Sequence, residues 1–299
     1  MGFSVTTTVL AAAGTYDLTT LATAKDELSI ASNNSANDAW LSGAISRASE
    51  AIADEVGRVM LPEYVRDTFD IEQDAYPSQT PGGFAQLRLT RWPVLAIASV
   101  AQTTARGTTQ VLVEGVDYRL DAEAAQLLRL NTFTGVGTLW EAIPVTVSYV
   151  GGYGAAVQEV ATVSGTAPYR ATVSQAATFS CDQSVSFADG RALVAVTANP
   201  AAGQYSVNAG VYEFNAADAG KQLSFAYATR KIPGGLEEIA LQVITGRYRA
   251  KGRDPSLVER DTDGIGRERF WFGGAPGQKG AFPPNIAGAL ERYSVPVVA

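Results

Sequence analysis

Residues 233–252, Pro-Gly-Gly-Leu-Glu-Glu-Ile-Ala-Leu-Gln-Val-Ile-Thr-Gly-Arg-Tyr-Arg-Ala-Lys-Gly, constrain the chain more than any other stretch. Leu236, Ile239, Ala240, Val243, Ile244 and Tyr248 recur at steps of three, one, three, one and four, which is one face of an α-helix. Pro233 and two glycines punctuate its start. Glu237 and Glu238 lie in the first turn, where the helix dipole favours anions. Arg247, Arg249 and Lys251 lie at the end, where it favours cations, and Gly252 offers a C-cap. A helix with one apolar face needs a partner. The other long segment of this kind is residues 37–60, with Leu41, Ile45, Ala48, Ile52, Val56 and Val59 on one face, nearly two hundred residues earlier. The late helix is therefore expected to complete a helical core begun near the N-terminus, with a second domain inserted between the halves.

Between the two helices the period changes from helical to two. Residues 65–71 and 86–89 alternate and are read as a hairpin around the Pro/Gly-rich loop 76–83. Further strands are expected at 97–102, 109–113, 115–120, 126–130 and 144–149, the last ended by Gly151-Gly152-Tyr153-Gly154. From residue 156 to 229 charge is scarce and Ala, Ser, Thr and Val dominate. Short alternating segments at 169–173, 177–181, 184–187, 192–197, 203–207, 211–214 and 222–227 are separated by turn signals such as Asp189-Gly190 and Asn199-Pro200, the pattern of a small β-sandwich. Short helices are expected at 18–30, capped by Thr19 or Thr20, and at 286–293, with Ile286, Leu290 and Tyr293 on one side. Ser35 and Asp38 resemble a capping box for the helix at 37–60. The expected fold class is α+β: a small helical bundle core with β-hairpins (1–154 and 231–299) plus an inserted all-β, Ig-like sandwich (155–230).

Composition narrows the chemistry. The chain has no histidine, which removes the commonest general base and metal ligand. Its single cysteine, Cys181, leaves no intrachain disulfide and no Cys-based metal site. Glu237 and Glu238 are adjacent on a helix, so they point apart and cannot flank one substrate. Asp261-Thr262-Asp263-Gly264 has the flavour of a calcium loop, but the position for its late glutamate is Phe272. No catalytic residue, metal or cofactor is expected. The net charge of −7 argues against a free nucleic-acid binder held by bulk charge. No apolar run approaches the roughly 18–20 residues that span a bilayer, and no basic, apolar leader opens the chain. A soluble protein of a reducing compartment is expected.

The densest basic run is Arg247, Arg249, Lys251 and Arg253, with Arg260, Arg267 and Arg269 beyond it and acidic residues interleaved. It reads either as a solvated helix end with a salt-bridged loop or as a contact with a partner or a passing phosphate backbone. Phe270, Trp271 and Phe272 pack either on the chain's own core or on a neighbouring subunit.

With residues 155–230 set aside, the order of the remaining motifs is distinctive. A short helix leads to one ending Glu55-Val-Gly-Arg. Leu87-Arg-Leu-Thr-Arg-Trp-Pro-Val and Val145-Thr-Val-Ser-Tyr-Val-Gly-Gly-Tyr follow. Then come Ile232-Pro-Gly-Gly-Leu-Glu-Glu and a terminal Leu290-Glu-Arg-Tyr-Ser-Val-Pro. This order resembles the head–tail connector (adaptor) proteins of tailed double-stranded-DNA bacteriophages. The stretch 203–227 resembles a β-module that recurs on phage structural proteins. Most connectors are much shorter, and the inserted β-domain is the main departure. The resemblance implies a structural, non-enzymatic neck protein at the portal vertex of the virion, assembled in the host cytoplasm. It implies a homo-oligomeric ring, typically of twelve copies, that binds the portal protein and the next neck or tail-completion protein and surrounds the channel for double-stranded DNA. Leu290, Tyr293, Val295, Pro296 and Val297 would form the portal-docking tail. Arg247, Arg249, Lys251 and Arg253 would be partner or channel contacts. A different reading makes the β-domain a surface- or glycan-binding module with the helical part as its anchor.

Overall fold

The computed structural model describes residues 4–70, 86–103, 107–140, 143–251, 259–262, 266–269 and 282–294. The expected loop at 76–83, the aromatic patch at 270–272, Asp263 and Gly264 of the calcium-like loop, Arg253, and Val295, Pro296 and Val297 lie outside them. The chain forms two compact units, Met1–Thr15 with Met60–Lys231, and Tyr16–Val59 with Ile232–Ala299.

Among the described residues the first unit is built of β-strands with two short 3-10 turns, Ala176–Thr178 and Ala216–Asp218, and it holds two hydrophobic cores, each between two sheets. One sheet contains β1 (Ser4–Ala11), β2 (Glu63–Asp70), β4 (Val94–Thr103), β5 (Thr109–Leu112) and β9 (Val145–Gly151), in the order β1-β2-β9-β4-β5, every neighbour antiparallel. The facing sheet contains β3 (Gln86–Arg88), β6 (Tyr118–Asp121), β7 (Gln126–Leu130) and β8 (Gly137–Thr138), with β7 paired to all three others. Alternation explains the arrangement. Val65 and Phe69 of β2, Val145, Val147 and Tyr149 of β9, and Val100 of β4 point to one side, and Leu87, Tyr118, Leu127 and Trp140 meet them.

This geometry overturns the expected fold class. The chain is mostly β-sheet with a few helices, not a helical bundle decorated with hairpins. Residues 65–71 and 86–89 do not form a hairpin either. β2 pairs with β1 and β9, while β3 pairs with β7 in the other sheet. Period-two alternation identifies strands but not their partners, and here the strands have enough apolar faces to build a core without helices.

The second core lies between β10 (Gly154–Thr162), β12 (Phe179–Phe187) and β16 (Gln222–Arg230) on one side, and β11 (Arg170–Thr172), β13 (Val194–Ala195), β14 (Gln204–Asn208) and β15 (Val211–Phe214) on the other. Val185, Leu193, Leu223, Phe225 and Phe214 fill it with Tyr205, Tyr212 and Tyr227. Tyr212 meets Phe225 edge-on with ring centres 4.8 Å apart. Two segments read separately, 177–181 and 184–187, are one bulged strand, β12. β10 escaped detection: it is a mostly exposed edge strand, and Gly151 to Gly154 read as a stop. β10 and β16 pair from Gly154 opposite Arg230 to Thr162 opposite Gln222, so the chain enters and leaves this sandwich side by side.

Asp182 sits inside the second sandwich and accepts hydrogen bonds from the hydroxyls of Tyr205 (2.5 Å) and Tyr212 (2.8 Å). Burial raises its carboxyl pKa; the two tyrosines pull it back without cancelling the effect. The folded state thus holds the proton more tightly than the unfolded chain. The stability Asp182 contributes is fully present below the ordinary carboxylate range, about pH 4, and is lost as pH rises through the raised value. Thermal unfolding across that range should show wild type losing stability relative to Asp182→Asn as pH increases. Parallel pH profiles for the two proteins would refute this.

The two sandwiches meet at a small apolar contact of Val150, Cys181 and Ala228, flanked by Ala11, Tyr64 and Leu95. Ser180 is shared here: its hydroxyl donates to the Pro62 carbonyl (2.9 Å) and its carbonyl accepts from the Gly14 amide (2.8 Å). Burial, with Asp182 and Glu63 nearby, pushes the Cys181 thiol up to about 12, so it stays a protonated, unreactive thiol at neutral pH.

Candidate functional site

The second unit carries the described residues of the expected contact set. It contains α1 (Leu21–Glu27), α2 (Asp38–Val56), α3 (Gly234–Arg249) and α4 (Pro284–Leu290), with a 3-10 turn at Glu291–Tyr293, and the hairpin of β17 (Glu259–Thr262) and β18 (Gly266–Arg269). The Thr20 hydroxyl accepts from the Thr23 amide and caps α1. α2 buries Leu41, Ile45, Ala48, Ile52 and Val56, as its period requires, and ends on Gly57 in the left-handed conformation. Ser35 does not build a capping box. Asn37 is the cap residue, and Asp38 instead pairs with Lys25 at 2.6 Å. α3 buries Leu236, Ile239, Ala240, Val243 and Ile244, together with Leu241. It stops at Arg249, before Gly252. Glu237 in its first turn accepts from the Thr19 hydroxyl at 3.0 Å.

Leu290 and Tyr293, expected in the docking tail, lie in the core of this unit, at 1% and 8% exposure. The Tyr293 carbonyl accepts from Arg58 Nε at 3.0 Å, and the Tyr293 ring lies under the Arg292 guanidinium. Arg58 is itself buried. The C-terminal turn is thus locked to the end of α2, and these two side chains have little surface to offer a partner.

The basic residues at the end of α3 and just beyond it diverge. Lys251 reaches the start of α2, donates to Asn37 Oδ1 at 2.7 Å and lies over the Trp40 ring. Tyr248 meets Trp40 edge-on, and its hydroxyl accepts from Asn37 Nδ2 at 3.2 Å. Arg249 is exposed. Arg247, half-buried, lines a cleft with Arg47, Glu50, Ala51 and Asp54 of α2. Burial and the nearby Arg47 charge both lower its pKa. Two guanidiniums and two carboxylates around one alanine suit a polar or charged partner side chain better than a bare phosphate, because the local charges cancel. Arg47, Trp40 and Asn37 drew no notice in the sequence. Asn37 is the cap of α2, Trp40 lies off its buried stripe, and Arg47 is one of several charged residues on its outer side, so nothing in the sequence marks them as a group.

Elsewhere the buried acids serve as acceptors inside the first unit. Asp67 is fully buried and accepts from Thr7, Thr90 and Tyr149. Glu63 pairs with Arg91 at 2.8 Å. Among the described residues no three His, Cys, Asp or Glu side chains form a metal-sized cluster, and no helix is long and apolar enough to cross a membrane.

No protein-family model and no curated protein matches the chain. Among solved structures, a chain from the neck of an empty gene transfer agent particle is similar over 51% of this chain and 72% of its own, with 16% identity and a TM-score of 0.31. A chain from the virion of a native gene transfer agent particle is similar over 49% and 71%, with 17% identity and a TM-score of 0.33. Likeness at that level carries no argument about fold or role.

Proposed function

We propose that this protein is a structural, non-enzymatic component of the neck of a tailed-phage-like particle, a ring-forming adaptor between portal and tail. The observation that carries the reading is where the connector-like motifs fall. Arg58, which closes the Glu-Val-Gly-Arg motif, bonds to Tyr293 of the terminal Leu-x-x-Tyr motif, 235 positions away. Pro93 of the Trp-Pro-Val motif accepts from Gly152 of the Gly-Gly-Tyr motif at 2.9 Å. Motifs scattered along the sequence meet in pairs, as parts of one framework do. The reading names the kind of assembly the two solved chains come from, and draws its support from these residues.

On this reading the sandwich at 155–230 is an Ig-like module inserted into a connector made of 1–154 and 231–299. Its side-by-side entry and exit at Gly154 and Arg230 suit an insertion. The partners are the portal protein, the next neck protein, further copies of this chain in a ring of about twelve, and the DNA that passes through. The segment after Ser294, with Val295, Pro296 and Val297, is the part left to dock on the portal, and the Arg47–Arg247 cleft and Arg249 are contacts for a neighbouring protein. Native mass measurement of the purified protein with purified portal rings tests this. Discrete multimers that bind the portal are expected. A protein that neither multimerises nor binds portal at any salt concentration would end the proposal.

A further inference from the structure

β1 is the edge of its sheet: it pairs with β2 on one side and with no described strand on the other. Natural edge strands are usually blunted by lysine, proline or a covering segment. Ser4–Ala11, Ser-Val-Thr-Thr-Thr-Val-Leu-Ala, contains neither residue and no charge, and it is exposed along most of its length. Val5 and Val9 stand opposite Phe69 and Val65, on the face that carries the core, yet remain 40% and 44% exposed. The apolar face therefore runs past β2 and stops uncovered at β1.

The sequence of this edge is symmetric. Val5-Thr6-Thr7-Thr8-Val9 reads the same in both directions about Thr7. An antiparallel ladder between two copies, centred on Thr7, sets Val5 opposite the other copy's Val9, on the core face, twice over. Thr6 and Thr8 face each other on the outer face. The flanking charges are compatible as well. Arg66 stands beside Thr8 and Asp70 beside Ser4, so across the join Arg66 faces the row holding Thr68; the like charges that share a row are the two Asp67, each buried and bonded by its own Thr7, with both Thr7 residues between them. With a net charge of −7 on each chain, an uncharged, self-complementary edge is where two copies can approach.

We propose that β1 is a self-association edge, through which two copies pair antiparallel about Thr7 into one continuous ten-stranded sheet. Such a pair is isologous, whereas a cyclic ring uses head-to-tail contacts. The pair is therefore a form of the free protein, and it stands independently of the neck reading.

Sedimentation of the wild-type protein in the absence of portal should give twice the 31.4 kDa of one chain. Thr6→Lys with Thr8→Lys, both at exposed positions, puts like charges opposite each other and should give monomers. Thr6→Glu with Thr8→Glu should do the same, and an equimolar mixture of the two variants should return to pairs. A wild-type monomer at every concentration, or a lysine variant with wild-type mass, overturns the proposal. If the charged variants fail to fold, Thr7→Cys decides. Thr7 lies on the two-fold axis, and the chain's own Cys181 is buried. Mild oxidation should link two chains through Thr7→Cys and not through Thr109→Cys on β5. No such link would equally overturn it. Portal binding reports on the neck reading separately.

Discussion

Gly152→Ala should strongly destabilise the first unit and shift its unfolding midpoint well below that of the wild type. Gly152 sits in the turn between β9 and β10 with φ of +132°, a backbone region open to glycine but strained for a side-chain-bearing residue. Space is the second obstacle. An added Cβ would lie 2.6 Å from the Leu61 carbonyl carbon and oxygen, and 2.7 Å from the Pro62 nitrogen. Those are main-chain atoms and cannot swing aside. Moving the turn breaks two further bonds, Gly152 amide to Pro93 carbonyl (2.9 Å) and Tyr153 amide to Met60 carbonyl (2.7 Å). Strain of about 2 kcal/mol and overpacking of about 2 kcal/mol give a loss on the order of 4 kcal/mol, a large part of a domain's usual stability. Gly210→Ala, also at positive φ, meets Ala176 and the Val173 side chain and serves as a comparison in the second sandwich. Denaturant titration followed by near-ultraviolet circular dichroism checks the prediction. A Gly152→Ala protein with a wild-type midpoint would show that this turn tolerates a side chain.

Asp67→Ala should cost the first sandwich as much stability as truncating one of its buried aromatic side chains. Asp67 belongs to β2 and is fully buried. It accepts from Thr7 of β1 (2.7 Å), from the amide and hydroxyl of Thr90 just after β3 (2.8 and 2.9 Å), and from Tyr149 of β9 (2.7 Å). One carboxylate thus holds strands of both sheets together. Burial, followed by the Asp67 charge, raises the Tyr149 pKa far above the ordinary phenol value, so its hydroxyl keeps its proton and stays a donor. Without Asp67, the two threonine hydroxyls can turn to each other across their 3.0 Å separation. The Thr90 amide has no such escape, and the Tyr149 hydroxyl has only a long contact, 3.4 Å, to the Thr90 oxygen that Thr7 also needs. Two stranded donors at roughly 1–3 kcal/mol each imply a loss of about 3–4 kcal/mol. The test is a double-mutant cycle. Tyr149→Phe removes one stranded donor in advance, so the double variant should lose about 1–2 kcal/mol less than the sum of the singles. Strict additivity would show that the Asp67–Tyr149 bond contributes little.

These two positions also mark where the sequence was readable and where it was not. The faces of α2 and α3 were legible because six apolar side chains at helical spacing admit one packing direction, and Gly57 and Pro233 punctuate the ends. The strands of the second sandwich were legible through alternation and turn signals. The fold class was not. Asp67 and Glu63 are charged residues at buried positions of β2, and their partners, Thr90, Tyr149 and Arg91, are named only by the three-dimensional arrangement. Strand pairing is non-local, and β3 and β8 are too short for alternation to show that they belong to a second sheet. In the helical unit the charge run from Arg247 to Lys251 was visible, yet its residues part company because positions two apart on a helix point about 200° apart and Lys251 lies beyond the last turn of α3. Arg247 meets Arg47, while Lys251 meets Asn37 and Trp40. Leu290 and Tyr293 were legible as an apolar helix face, and the structure shows what that face does: it closes this unit's own core.

Acids and tyrosines are engaged as structural fasteners in both sandwiches, and the free features are surfaces: an uncharged sheet edge and a balanced cleft between two helices. Those suit assembly with other protein chains. Electron cryo-microscopy of the portal vertex of a particle that carries this protein tests the structural role most directly. A ring of density next to the portal, into which both β-sandwiches and the α2–α3 pair can be placed, is the expected result. A portal vertex complete in every other component, with this protein absent from it or found only free of the particle, would contradict the structural role.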